Sequence, residues 1–124
     1  MEFIEPPAFT RYVDQYPNDE EYRQLQNQLA NNPELGDVMP GTGGFRKLRW
    51  ADSSRRKGRR SGLRIIYYYF PAAQQIWLMT LYDKDEASDL SPRMKKALKG
   101  ALENELHARK AARLANGKKS RRSR

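Results

Sequence analysis

The run LRIIYYYF, residues 63–70, limits the possible folds of this chain more than any other segment. It is β-branched and aromatic almost throughout, and Arg64 is its only charge. Eight residues is a strand's length, and a run without polar alternation has no face to leave in water. The segment therefore reads as a central strand covered on both faces. Two neighbours follow from the same reasoning. In FRKLRW, residues 45–50, Leu48 and Trp50 alternate with Lys47 and Arg49, the period of a half-buried strand. QIWLMTLY, residues 75–82, reads as a third such strand, joined to the central one through the tight turn PAAQ.

The remaining elements are helical or short. Residues 2–5, EFIE, suit a first strand ended by Pro6 and Pro7. Phe9, Tyr12, Val13 and Tyr16 lie at helical spacing. Asn18 precedes Glu21 in the manner of a capping box, opening a second helix with Tyr22, Leu25, Gln26 and Leu29 on one stripe. GDVMPGTGG, residues 36–44, reads as a loop. Ser91 and Pro92 suit the cap and first turn of a last helix, with Met94, Leu98, Ala101, Leu102, Glu105 and Leu106 along one face. The expected fold is α+β, in the order β-α-α-β-β-β-α: a small, mostly antiparallel sheet with helices packed on one side. Residues 1–114 form one domain, and the basic end from residue 115 to 124 is expected to be a disordered tail.

Composition enters through charge. With 24 Lys and Arg against 15 Asp and Glu, the net charge of +9 points to a polyanionic partner. There is no cysteine and a single histidine, His107, so thiolate chemistry and a zinc site are excluded. GTGG lacks the lysine and hydroxyl residue of a phosphate-binding loop. The pairs Asp83/Asp85 and Glu86/Asp89 fall short of an oxygen-ligand metal site. No metal or cofactor is expected. The acidic N-terminus does not suit a signal peptide and no segment suits a membrane span, so a cytoplasmic protein is expected.

The positive charge is concentrated between residues 44 and 70, with nine Lys and Arg and one acid. Lys47 and Arg49, two apart on a strand, project from one face. Arg64 sits in an apolar strand, where an unpaired charge is costly and must reach water, a carboxylate or a phosphate. Lys84 follows Tyr82 by two residues and shares its side if the strand continues. Side by side in a sheet, Lys47, Arg49, Arg64, Tyr82 and Lys84 converge on one surface suited to phosphodiesters and bases. Arg46, Arg55, Arg56, Lys57, Arg59 and Arg60, in and beside SSRRKGRR, suit sequence-independent attraction to a nucleic-acid backbone.

Taken together, NPELGDVMPGTGGFRKLRW, GLRIIYYYF and LYDKDEASDL resemble the RelE/HigB family of toxins from type II toxin–antitoxin systems, in its HigB-type branch, over residues 2–106. The resemblance implies that family's fold and a ribosome-dependent mRNA endonuclease, or mRNA interferase, that inhibits translation. It implies binding to 16S rRNA in the A site of the 70S ribosome, and cleavage of the mRNA there. A cognate HigA-like antitoxin of helix-turn-helix type is the implied partner, with operator DNA bound only through the antitoxin complex. Lys47 and Arg49 match the family's basic pair, Arg64 its strand-opening arginine and Lys84 its late basic position. Leu90 stands where RelE proper has a tyrosine, leaving Tyr82 as the nearest candidate. Three other classes compete: a ParE-like gyrase inhibitor, a non-catalytic RNA- or ribosome-binding module, and an inactive remnant of such a toxin.

Overall fold

The computed structural model describes residues 1–13, 19–50, 62–83 and 90–122. The chain is α+β. Its elements run β1 (Glu2–Ile4), α1 (Pro7–Val13), α2 (Asp19–Asn31), β2 (Asp37–Val38), β3 (Arg46–Trp50), β4 (Leu63–Phe70), β5 (Gln75–Asp83) and α3 (Pro92–Arg122). The five strands form one sheet in the order β1-β5-β4-β3-β2, which places β4 in the centre.

Beyond the additional strand β2, two features depart from the expected architecture. The sheet is mixed, because β1 joins β5 in parallel, Phe3 opposite Ile76. About 70 residues separate these strands, so no hairpin dictates their direction. The helices also lie on both faces rather than one. Phe9 of α1 and Leu25 and Leu29 of α2 share a core with Leu48, Ile65, Tyr67, Ile76, Leu78 and Leu81. Leu98 and Leu102 of α3 share a second core with Met39, Phe45, Ile66 and Phe70. A strand apolar on both sides needs cover on both, and β4 receives it from α2 below and α3 above.

The local signals behind these elements are specific. At the start of α3 the Ser91 hydroxyl accepts from the Met94 amide at 3.2 Å, the N-cap geometry. In the β4–β5 hairpin the Gln74 amide donates to Pro71 O at 3.2 Å, and Gln74 takes a φ of 53°. GTGG is a turn, its Gly43 at φ 83° packed close under Leu102. The buried Thr42 hydroxyl ties that turn, donating to Met39 O at 2.7 Å and accepting from Phe45 N at 3.1 Å. Just before it, the segment read as loop contains β2, paired with β3 so that Asp37 faces Lys47. The last helix does not stop at residue 114. It continues to Arg122, through a segment that includes the poor helix formers Asn116 and Gly117.

Candidate nucleic-acid interface

The sheet register places the candidate residues. Arg49 of β3 lies opposite Arg64 of β4, and Arg64 opposite Tyr82 of β5. Cβ atoms of such partners stand about 5 Å apart, so the three side chains form a row across three strands. One pleat away, Asp37, Lys47, Ile66 and Thr80 form the next row. Alternation puts Lys47 and Arg49 on the α3 side with Phe45, and Arg64 on the same side with Ile66.

Tyr82 reaches this side through an irregularity. The β4–β5 register slips between Ile66 and Tyr67: Ile66 faces Thr80 while Tyr67 faces Leu78, leaving Met79 as an extra residue. This is a β-bulge. Leu78 and Leu81, three apart, consequently point to the same core, while Tyr82 packs with the α3-side cluster. Strict alternation from Trp77 would have turned Tyr82 to the opposite face.

Above the rows lies a cavity of about 180 Å³ walled by Asp37, Val38, Met39, Pro40, Lys47, Arg49 and Lys95. Three cations and one carboxylate thus face one small space. Lys95 comes from the first turn of α3, about which a strand-based reading says nothing. Its sequence signal was weak, since α3 is lysine-rich throughout.

Arg64 itself is 4% exposed, directly behind Arg49. Its Nη1 donates to Gly62 O and Leu63 O, each at 3.3 Å. Burial first, and then the Arg49 cation, push Arg64 below the usual arginine value, while Tyr82 acts the other way.

The cavity's other wall is fastened from below. The Tyr67 hydroxyl donates to Pro33 O at 2.9 Å and accepts from the buried Gly36 amide at 2.8 Å. Arg46 donates to Gly36 O at 2.8 Å and to Glu34 O at 3.3 Å. By alternation with Leu48, Arg46 belongs to the face opposite Lys47 and Arg49, so the structure does not bring it to the cavity. It braces the strap leading into β2.

The remaining candidates divide simply. Lys84, and Arg55, Arg56, Lys57, Arg59 and Arg60, lie outside the described residues. So do Asp85, Glu86 and Asp89 of the acidic pairs. His107 is exposed on α3, twelve residues beyond Lys95 and so about 18 Å further along the axis. Among the described residues no group of three His, Cys, Asp or Glu side chains is placed to hold a metal ion. Among them, too, no helix is long and apolar enough to cross a membrane. No protein-family model matches the sequence.

Proposed function

We propose that this chain is a RelE/HigB-type toxin of a type II toxin–antitoxin system, cleaving mRNA in the ribosomal A site and so inhibiting translation. The observation that carries the reading is the row Arg49–Arg64–Tyr82 beside the cavity that Lys47 and Arg49 share with Lys95. Cations on rigid strands, converging on a space the size of a phosphate group and its neighbours, suit a phosphodiester under attack. The quoted motifs and the α+β class support the same family.

In this reading the 2′-hydroxyl of the mRNA attacks the adjacent phosphate. The O2′–P bond forms and the P–O5′ bond breaks, leaving a 2′,3′-cyclic end and a protonated 5′-oxygen. Arg49 and Arg64 stabilise the added charge on the phosphorane oxygens. Lys47, or Lys84 from outside the described residues, takes the proton from the 2′-hydroxyl or delivers one to the leaving 5′-oxygen. The ribosome supplies the in-line geometry, the 16S rRNA binds the basic surface, and a HigA-like antitoxin neutralises the toxin. The chemistry needs no cofactor, and the site of action is cytoplasmic.

The test is mapping of mRNA 5′ ends on purified ribosomes with and without the protein. Codon-aligned cuts are expected from the wild type and none from Arg64→Ala. A folded Arg64→Ala variant that still cuts would remove Arg64 from the site. Intact mRNA with inhibited gyrase would replace the reading by the ParE-like one, and ribosome binding without cuts by a non-catalytic module.

A further inference from the structure

We propose that the groove between the β4–β5 hairpin and the second half of α3 is a second RNA subsite, which stacks one unpaired base on the Arg109 guanidinium. The proposal rests on RNA being the substrate, but it concerns the other end of the sheet: Phe70 lies six residues from Arg64, about 20 Å along β4.

The groove encloses about 210 Å³ between Tyr68, Phe70, the hairpin residues 71–73, Leu106, Arg109 and Arg113. Drug-sized ligands occupy roughly 300–1,000 Å³, so this space suits a single planar ring system. Arg109 is held flat from two sides. Its Cζ lies 3.7 Å from the centroid of the Phe70 ring, and its Nε donates to Glu105 at 2.9 Å. Phe70 in turn packs on Tyr68, with ring centroids 4.7 Å apart. The result is a preorganised support: the Phe70 ring, tilted at 59° against Tyr68, carries the half-buried Arg109 guanidinium at the groove. Unpaired RNA bases stack on arginine planes as they do on aromatic rings.

One helical turn on, Arg113 lines the same groove and is exposed for the phosphate next to the base. From residue 106 to 122 α3 carries seven Lys and Arg and no acid. An acidic peptide is the poorer occupant. Glu105 already satisfies the charge of Arg109, so a further carboxylate would gain little there, whereas a base stacks on the guanidinium plane, which an ion pair made in that plane does not occupy.

Fluorescence anisotropy tests this with a labelled single-stranded oligoribonucleotide and its abasic counterpart. Arg109→Lys keeps the charge and removes the plane. It is expected to weaken the base-bearing oligonucleotide on the order of ten-fold, leaving the abasic one unchanged. An equal effect on both, or on neither, would overturn the subsite. So would a poly-glutamate peptide whose binding depends on Arg109 when RNA binding does not. A wild-type protein that binds neither oligonucleotide would instead sink the RNA reading as a whole. Photocrosslinking of a 4-thiouridine oligonucleotide to the wild type needs no variant: adducts within residues 68–73 or 105–113 support the subsite, and adducts confined to other residues refute it.

Discussion

Tyr67→Phe removes one oxygen from the largest fully buried side chain among the described residues, and its consequences can be worked out from the structure. The hydroxyl joins the central strand to the strap before β2, donating to Pro33 O at 2.9 Å and accepting from Gly36 N at 2.8 Å. Phenylalanine fills the same space, so the core loses no volume. What it loses is the partner of a buried amide and of a half-buried carbonyl, and leaving such groups unmade costs about 1–3 kcal/mol. A loss near 2 kcal/mol lowers the urea midpoint by about 1 M and the melting temperature by about 5–10 °C. Tyr69→Phe is the control, because its hydroxyl only accepts from the exposed Gln74 side chain at 3.2 Å; a change within about 0.5 kcal/mol is expected. Alkaline pH provides a second reading. Burial pushes the Tyr67 phenol above the usual tyrosine value, the Gly36 amide and Arg46 opposing. Its raised value in the fold makes its stabilisation complete below the unfolded value, about 10, and lost as pH rises beyond it. The gap between wild type and Tyr67→Phe should therefore narrow above that pH. Tyr22, raised by burial and by its bond to Glu5, is common to both proteins and cancels. Identical urea midpoints for Tyr67→Phe and Tyr69→Phe would refute the clasp.

Gly36→Ala tests the same junction from the other side. Its Cβ would stand 2.9 Å from both Lys47 O and Tyr67 Cε1, so a loss of about 1–3 kcal/mol in urea unfolding is expected, and wild-type stability would contradict the close approach. Lys95→Gln removes the cavity's helix-borne cation: the salt slope of RNA binding should shrink by about one unit, ribosomal cleavage should slow, and the melting temperature should hold. An unchanged slope would take Lys95 out of the interface.

Much of the fold was legible because its signals are local. Ser91 and Pro92 announce the start of α3, PAAQ the hairpin, and the composition of residues 63–70 the central strand. The stripe of Leu25 and Leu29 became the buried face of α2. The signals that failed are those in which distant segments choose each other. β2 is two residues long, too short to display any period. The parallel seat of β1 on β5 is a choice of sheet edge that neither segment encodes alone. The two-sided cover of β4 was implicit in its composition, yet the face taken by α3 is set by the contact of Leu98 and Leu102 with Phe45 and Ile66, which no single segment displays. Lys47, Arg49 and Arg64 could be placed together from strand periodicity. Lys95 could not, because its place depends on where α3 lands.

The inclusion of Tyr82 has a different origin. Counting from Trp77 along an unbroken strand, Tyr82 belongs with Leu78 and Ile76, on the face away from Arg64. The bulge at Met79 reverses that parity, and the partner strand shows no matching insertion. A one-residue irregularity is costly in a central ladder, where each unpaired group loses a hydrogen bond. Here its effect is confined to the end of β5 beyond Thr80, which contains Tyr82. The other departure from regularity, the close approach of Gly36 to Lys47 and Tyr67, seats β2 against the row of Asp37, Lys47, Ile66 and Thr80. The bulge therefore acts on the Arg49–Arg64–Tyr82 row, whereas Gly36 meets Tyr67, whose ring belongs to the core under α1 and α2. The place of the bulge beside the Arg49–Arg64–Tyr82 row is a structural argument, separate from charge, that supports the proposed site on the α3-side face.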